Sequence, residues 1–588
     1  MPSISQVGTY NINALTVADV YVQIVPPQFR LNGVPSSIFG VVGTASWGPV
    51  NQPQIVGSYA EFVQIFGPML PRTYDMGTAA WIAFMQGPAG MGRFVRVTDG
   101  SDLAATITAQ TNCITFTSKY TGSYGNSTVV YVDTGSALNS YRARVVMPGM
   151  VPEMFDNIFK GVSSVAVDTA GTGYTSVPAV TFSAPQIAGG RRARGHVTLS
   201  TTTVGAVVID DPGTGYTSAP TITFSGGGGS GAAATATIAV WPAMVDAINN
   251  GQSGMRGPSD YVVASAGGGT TAPSTASYTL VGGSDGAAAI TGTILLGTDS
   301  VPRTGMYALR GQGCSVAMLT DCTDTSTWAT QVSFGTDEGC MMALCGPASQ
   351  SISSAISAKS GASIDTFVAK ILLGDWLYMN DTVNNLPNRL VSPQAFFVGR
   401  RANLSPENSS LNKPVQGVVA SQKTTTGMPY TQADLSALAV AGIDVLTSPS
   451  PGGGYFAFRN GRNASSDPSR HGENYTTMTF YIAKTLAAGM GIYIGELQSR
   501  RKDDRTRARA KATIDSFMAV MANQQPTPMI DQFQTILDKS NNADDTIGLG
   551  YMFAYVRVVY MAVVEFFVVN LEGGQTVQIT TQSQAPFA

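Results

Sequence analysis

The last long apolar run of the chain, residues 551–569, alternates as a β-strand does. It is long enough to span a membrane as a helix. However, Arg557 and Glu565 interrupt it, and its β-branched and aromatic residues favour a pleated strand. At a period of two, Arg557 and Glu565 fall on one face and an uninterrupted apolar set falls on the other, namely Val558, Tyr560, Ala562, Val564, Phe566 and Val568. We therefore predict one long strand with a buried side.

Both ends of the chain have the pattern of strand-forming arms. After turn residues at 572–574, residues 576–580 alternate again, and near the start a short alternation ends at Pro26 and Pro27. A strand at a terminus leaves backbone groups unpaired and can complete the sheet of a neighbouring molecule. The predicted inter-subunit strand positions are Val20, Val22, Ile24, Val577 and Ile579. Self-assembly is the function that this pattern favours.

Between the arms, helix and strand patterns alternate. A buried-strand pattern at 38–44 precedes a capping box, Ser58 with Glu61, which predicts a short helix ending at Gly67. A helix over 75–86 and a strand over 93–97 follow, and this order indicates a mixed α/β layer. Further on, the predicted strands are 314–319, 340–344 and 395–398, and the predicted helices are 352–359, 364–372, 431–440 and 527–537.

An internal repeat divides this pattern. Residues 168–183 and 210–225 match at 11 of 16 positions with an offset of 42 residues. Each copy predicts a strand, a Gly-Thr-Gly turn and a second strand. Gly-rich borders indicate an inserted β module over 161–240. Such a module could bind sugar, although a decoration on an exposed surface is the more common role.

Composition and charge narrow the function. Charged residues are 12% of the chain and the net charge is -3, which argues against a nucleic-acid binder and against a binder of anionic membranes. A surface so poor in charge favours contacts with other protein, but a Ser/Thr/Gly-rich β protein would have the same composition. The five cysteines show no paired spacing and are expected to be reduced core residues, and the start shows no signal peptide. With two histidines, His196 and His471, a His-rich metal site is excluded.

The most charged stretch, residues 500–511, is predicted to lie in a helix. Arg501, Arg505 and Arg509 recur every four residues and share one face, and Asp503 can pair with Arg507. A solvated face explains such a run, but in a chain so poor in charge a basic ridge also fits an acidic partner. Nucleic acid is the weaker option because no aromatic platform accompanies the ridge.

One local motif resembles a hydrolase nucleophile. Residues 282–286 form Gly-x-Ser-x-Gly around Ser284, and His471, in a polar loop, is the only downstream histidine that could serve as its base. A tight glycine turn shaped by Asp285 is the preferred interpretation. An α/β hydrolase using Ser284 and His471 stays as an alternative, and so does a surface β-adhesin, which would need an export signal. No phosphate-binding loop occurs, so we expect a protein that is not an enzyme.

Three segments resemble the contractile-tail sheath proteins of bacteriophages and related injection systems. They are 39–51 (FGVVGTASWGPVN) with the capped helix after it, 280–286 (LVGGSDG) and 441–445 (AGIDV). The resemblance covers about residues 20–100 and 241–588, with the repeat module outside it. It implies an α+β multidomain protein, with a mixed α/β core built from N- and C-terminal parts, inserted β-rich domains and extended strand-forming arms.

The resemblance, together with the patterns above, predicts these domain limits: an N-terminal arm, 1–30; the first core part, 31–104; an inserted mixed β domain, 105–160 and 241–300; the repeat module, 161–240; the second core part, 301–430; a C-terminal core domain, 431–569; and a C-terminal arm, 570–588. It implies no cofactor.

The function implied by the resemblance is mechanical. A tail sheath subunit polymerises helically around the tail tube and contracts to drive the tube through the host envelope during genome delivery. The implied partners are identical subunits, the tube protein, and baseplate and tail terminator proteins, with no nucleic acid and no membrane insertion. The implied location is the virion tail, after assembly in the host bacterial cytoplasm. Arg501, Arg505 and Arg509 are expected to face the tube.

Overall fold

The computed structural model describes residues 3–5, 21–23, 31–88, 90–269, 271–569 and 571. The chain is a multidomain α+β protein with 25% helix and 31% strand. It forms two compact units. The larger unit comprises Pro35–Ser405 and Ser410–His471, and the C-terminal unit comprises Met1–Val34, Pro406–Ser409 and Gly472–Ala588. This division is coarser than the seven-part division predicted from the sequence, which stays a prediction.

A seven-stranded sheet forms the centre of the larger unit. Its strands, in spatial order, are Ile443–Asp444, Ala369–Leu372, Met341–Cys345, Val316–Leu319, Ile38–Gly43, Met91–Arg96 and Gln54–Val56. All neighbours are parallel except the last pair. All six residues of Ile38–Gly43 are buried, because a parallel sheet covered on both faces buries both sides of its strands.

Helices cover both faces of this sheet. Phe39 and Val41 point into one apolar core, and Ile38 and Val42 point into the other. The helices on the first core are Tyr59–Phe66, Met76–Met85 and Gln394–Ala402, and those on the second are Trp328–Glu338, Ile352–Gly361 and Gln432–Ala441. The predicted cap is confirmed, since Ser58 Oγ accepts the Glu61 N–H at 3.2 Å, although the Glu61 carboxylate accepts the Gly57 N–H instead of completing the box.

Smaller elements complete the larger unit. A helix, Val240–Asn250, packs in one core with a three-stranded sheet, Val262–Ala266, Ile114–Thr121 and Ala104–Ala109, and a four-stranded sheet, Glu153–Ile158, Tyr141–Val146, Val129–Thr134 and Ala276–Thr279. Two further sheets are Leu386–Val391 with Leu377–Asp381 and Val418–Ser421, and Leu446–Thr447 with Ala457–Phe458. The short helices are Ser123–Ser127, Gly292–Leu296, Gly305–Leu309, Thr325–Thr327 and Gln422–Thr425. All five cysteines are buried, as expected.

The repeat forms a module with internal two-fold symmetry. The first copy supplies strands Gly161–Thr172, Ala179–Phe182 and Arg194–Ser200, and the second supplies Thr203–Asp211, Ile222–Ser225 and Ser230–Ala239. The first strand of each copy pairs with the third strand of the other, and the two middle strands pair with each other. Each copy therefore needs the other to complete its sheets.

The strand register repeats with the same symmetry. The pairs Val162↔Ile238 and Thr169↔Ala233 in one sheet correspond to Val204↔Leu199 and Asp211↔Arg194 in the other, a shift of 42 residues for the first strand and 39 for the third. The bulges recur at equivalent places. In the two Gly-Thr-Gly turns, Gly171 and Gly213 have φ of 65° and 66°, a left-handed conformation that favours glycine.

The C-terminal unit packs two helices on one face of a two-stranded sheet. The helices are Glu473–Gly489 and Arg505–Ala522, and the strands are Ile530–Ile536 and Tyr555–Tyr560. Two short helices, Met490–Tyr493 and Asp544–Gly548, connect them. Met478, Ile514, Phe517 and Ile530 are among the buried residues of its core. In the same unit, Ser3–Ser5 pairs in parallel with Tyr21–Gln23.

Three predicted elements have the wrong secondary-structure type. Residues 527–537 were expected to be helical but contain the strand Ile530–Ile536, and residues 364–372 were expected to be helical but contain the strand Ala369–Leu372. Residues 395–398 were expected to be a strand but lie in the helix Gln394–Ala402. Residues 364–372 and 395–398 are short and largely apolar, and their periodicity does not separate a buried strand from a buried helix. The helix over 527–537 was predicted from Thr527 and Pro528, which resemble a helix start.

Candidate assembly surfaces

The two-stranded sheet of the C-terminal unit is covered on one face only. Val556, Val558 and Tyr560 pack against the helices, whereas Arg557 and Val559 lie on the opposite face with Val559 51% exposed. This is the alternation predicted from the sequence. Within the described residues each strand has a single partner, so both outer edges carry backbone groups that another strand could pair with.

The predicted long strand ends at Tyr560. Residues 561–569 have no regular secondary structure, and residues 551–554 precede the strand. The prediction of one strand over 551–569 is therefore wrong outside Tyr555–Tyr560. The reason is the partner: Tyr560 pairs with Ile530, the first residue of the neighbouring strand, so no backbone of this sheet is left to bind residue 561 onward.

The segment after the strand exposes a row of large apolar side chains. Their exposed fractions range from 69% to 89%, and the residues are Val564, Phe566, Phe567, Val568, Val569 and Leu571. A run of exposed large apolar side chains is typical of an interaction surface. No helix in the described ranges is long and apolar enough to cross a membrane.

An apolar groove of about 540 Å³ lies in the same unit. Its lining includes Leu486, Met490, Ile494, Ile514, Leu537 and Tyr551. Two residues on its rim, Ile494 and Tyr551, are 86% and 56% exposed. The C-terminal unit thus has two apolar surfaces, the groove and the segment at 564–571. Binding of protein would remove each from water, which is favourable.

Little of the predicted arms lies among the described residues. Val22 belongs to the strand Tyr21–Gln23, whose partner is Ser3–Ser5. The other four predicted arm positions, Val20, Ile24, Val577 and Ile579, lie outside the described residues.

The predicted basic ridge is exposed, but only part of it is helical. The helix begins at Arg505, and Arg501 lies in the turn before it. Arg501, Arg505 and Arg509 are all exposed. Arg509 is held at 3.1 Å by Glu496, and its guanidinium lies 5.8 Å from the ring centroid of Tyr493.

The expected pair of Arg507 with Asp503 does not form, and the Arg507 guanidinium instead lies 3.7 Å from the Asp504 carboxylate. Arg507 is only 2% exposed, and its guanidinium donates to the backbone oxygens of Ser499, at 2.7 Å, and of Arg501. Asp504 caps the helix by accepting the Arg507 N–H at 3.1 Å. Arg507 therefore fixes the turn that carries Arg501, and the cations available to a partner lie on the other side of the helix.

The Gly-x-Ser-x-Gly motif is a turn that joins parts of the larger unit. Ser284 exchanges two backbone hydrogen bonds of 3.0 Å with Leu103, and no helix occurs at residues 285–291, where a nucleophile elbow needs one. The neighbouring Asp285 accepts from Arg72 and from the Ser123 N–H, both at 2.5 Å. His471 lies at the end of a loop, and the His471 carbonyl oxygen accepts the Asn463 N–H at 2.8 Å. This context does not favour a hydrolase.

Comparison with protein-family models and with curated proteins finds no match. Among solved structures, the chain is similar to the sheath tail protein of Desulfitobacterium hafniense, with a TM-score of 0.53 and 12% identity over 92% of this chain and 100% of that chain. It is also similar to the sheath tail protein of Listeria innocua, with a TM-score of 0.50 and 12% identity over 90% of this chain and 96% of that chain. The chain thus has the fold of sheath tail proteins, and the predicted resemblance is confirmed at the level of fold.

Proposed function

We propose that the protein is a structural, non-enzymatic subunit of a contractile tail sheath. It polymerises helically around the tail tube and contracts to drive the tube through the host envelope during genome delivery. The observation that carries this proposal is the fold shared with the sheath tail protein of Desulfitobacterium hafniense over 92% of the chain.

The C-terminal unit supports assembly between copies. A two-stranded sheet whose outer edges have no partner strand among the described residues can accept an extended strand from another subunit through backbone hydrogen bonds. The terminal arms, 1–30 and 570–588, are the proposed donors. Head-to-tail contacts between identical subunits that do not close into a ring generate a helical array.

The energy for contraction comes from contacts between subunits. The six exposed apolar side chains at 564–571 would contribute on the order of 10 kcal/mol per subunit if they were fully buried, before the entropy cost of ordering is subtracted. A sheath held in an extended state by a kinetic barrier can release such energy when the subunits slide into a tighter packing. No nucleotide is required.

The proposed partners are further copies of the chain, the tube protein, and baseplate and tail terminator proteins, in a virion tail assembled in the host bacterial cytoplasm. Arg501, Arg505 and Arg509 are the proposed contacts to the tube. They are exposed cations on one helix and on the turn before it, in a chain with 12% charged residues. Nucleic acid and membrane insertion have no part in this proposal.

The test is the removal of residues 570–588. The truncated protein should keep its far-UV circular dichroism and stay monomeric, whereas the full chain should form hollow tubes or stacked rings in negative-stain electron microscopy. A finer pair of variants is Val577→Asp, which should block tubes, and Gln578→Asp on the opposite face of the predicted strand, which should not. Normal tubes from the truncated protein would defeat the proposal of arm exchange.

A further inference from the structure

A cleft in the larger unit is lined by two cationic side chains and, among the described residues, by no carboxylate. Its volume is about 270 Å³, and the cations are Lys423 and Arg459. Most of the other lining groups are hydroxyls and small polar groups, from Ser421, Thr424, Thr447, Ser448, Ser450 and Gln432. The cleft is smaller than the roughly 300–1,000 Å³ typical of sites for drug-sized ligands.

Local hydrogen bonds hold the walls of the cleft in place. Ser421 and Thr424 form a capping box at one wall, and Thr431 and Asp434 form another at the start of Gln432–Ala441. On the opposite wall, Leu446–Thr447 pairs with Ala457–Phe458, and Arg459 follows directly. A site built on such contacts loses little conformational entropy when a ligand binds.

Neither cation forms a direct ion pair with a described residue, although Lys423 interacts electrostatically with Asp375 and Asp434. Within the described residues, no carboxylate lies close enough to Lys423 or Arg459 to form an ion pair, although both side chains are half-buried. Asp375 accepts from the Tyr430 hydroxyl at 2.9 Å and from the Lys423 backbone N–H at 2.8 Å. Asp444 accepts the Arg459 backbone N–H at 3.2 Å. Lys423 Nζ lies 5.5 Å from the Tyr430 ring centroid. Because neither half-buried cation makes a direct ion pair with any residue that the structure describes, an anion in the cleft would stabilise both.

A buried hydroxyl in the same wall also lacks a partner. Thr447 is 7% exposed, and its Oγ1 has no hydrogen-bond partner in the described part of the chain. A buried hydroxyl normally has a hydrogen-bond partner, and an unpaired one in the wall of a cleft can donate a hydrogen bond to a ligand. We propose that this cleft binds a single small oxyanion, a phosphate or carboxylate group, through Lys423, Arg459 and Thr447.

The first arm of the test uses inorganic phosphate and does not depend on the proposed assembly. Isothermal titration of the full chain at constant ionic strength should show binding of phosphate. Lys423→Gln and Arg459→Gln should each weaken it by at least about tenfold, the usual effect of losing a hydrogen bond to a charged group. Lys413→Gln is the control, because Lys413 is also a half-buried lysine of the larger unit but does not line the cleft. Circular dichroism should confirm that all variants fold.

The second arm asks whether the oxyanion is a carboxylate of a second copy, and it rests on the proposed assembly. If phosphate does not bind, the double variant of Lys423→Gln and Arg459→Gln should reduce self-association in sedimentation velocity, while Lys413→Gln should not. Phosphate binding that both single variants retain would overturn the proposal. The proposal would also be overturned if the wild-type chain bound no phosphate and the double variant self-associated as strongly as the wild type.

Discussion

Lys370 Nζ lies 2.7 Å from Asp444 Oδ2, and both side chains are fully buried. The two residues come from adjacent parallel strands at the edge of the central sheet. Asp444 also accepts backbone N–H groups from Arg459, Asn460 and Gly461. Its carboxylate therefore joins the edge strand of the sheet to residues 459–461. The Lys370 ammonium lies 4.7 Å from the ring centroid of Phe397.

Breaking this pair should destabilise the larger unit strongly. Asp444→Ala leaves a buried ammonium without its counter-charge and removes the acceptor of several backbone N–H groups, so we expect the free energy of unfolding to fall by about 3–5 kcal/mol. Chemical denaturation of the full chain measures it. The control is Asp515→Ala, which breaks a half-exposed pair with Lys511 and should cost less than about 1 kcal/mol. Equal losses in the two variants would contradict the assigned role.

Stability should depend on pH through Asp75. Burial raises the pKa of this carboxyl from 3.8 to about 6. Between about pH 4 and about pH 6 the native state keeps a proton on Asp75, whereas the unfolded state has released it. The contribution of Asp75 to the free energy of unfolding therefore falls as the pH rises through this range, by about 3 kcal/mol in all.

Asp75→Asn should remove this dependence, because an amide can still accept the Thr78 N–H that now donates to Asp75 at 2.7 Å. Urea denaturation of both proteins at about pH 4 and about pH 7 gives the difference in unfolding free energy, which should move by about 3 kcal/mol in favour of the variant at the higher pH. A difference that stays constant between the two pH values would rule out Asp75 as the source.

Patterns that repeat along the chain predicted much of the fold. The opening strand, the helix capped by Ser58 and the following helix and strand lie where their periodicity placed them. The Gly-Thr-Gly repeat predicted an inserted β module, and the structure contains six strands there. The sequence did not predict that the two copies exchange their third strands, because strand pairing depends on contacts between distant residues.

The errors fall where a distant residue decides the local structure. Residues 364–372 were predicted to be helical, yet Lys370 lies in a buried strand, where Asp444, distant in sequence, neutralises it. Residues 561–569 have the pattern of a continued strand, but the antiparallel partner strand begins at Ile530, which pairs with Tyr560, and so offers no backbone to residues 561–569. Of the assembly surfaces, the alternation at 555–560 was predictable, whereas the groove at Ile494 and Tyr551 was not, since its walls come from separate helices and loops.

The two copies of the repeat provide a matched pair of tyrosines. Tyr216 is 1% exposed, and its hydroxyl donates to the Ser183 carbonyl oxygen at 3.0 Å and accepts the Ala193 N–H at 2.9 Å. Tyr216→Phe should lower the free energy of unfolding of the module by about 1–3 kcal/mol, because both backbone groups lose a buried partner. Hydrogen exchange of amides in residues 161–240 reports on it.

The equivalent Tyr174 is 3% exposed, but its hydroxyl has no hydrogen-bond partner among the described residues. Tyr174→Phe should therefore change stability by less than about 0.5 kcal/mol. Similar losses of exchange protection in the two variants would contradict the role assigned to the hydrogen bonds of the Tyr216 hydroxyl, because both substitutions keep the ring.

The last prediction separates the structural arginine from those proposed to contact the tube. Arg507→Met removes the donor to the Ser499 and Arg501 carbonyl oxygens, so the free energy of unfolding should fall by roughly 2–4 kcal/mol. Arg505→Met changes an exposed side chain and should alter it by less than about 0.5 kcal/mol. Chemical denaturation gives both values. If Arg505→Met destabilised the protein as much as Arg507→Met, Arg505 would be a packing residue, and the exposed ridge would no longer be a surface free to meet the tube.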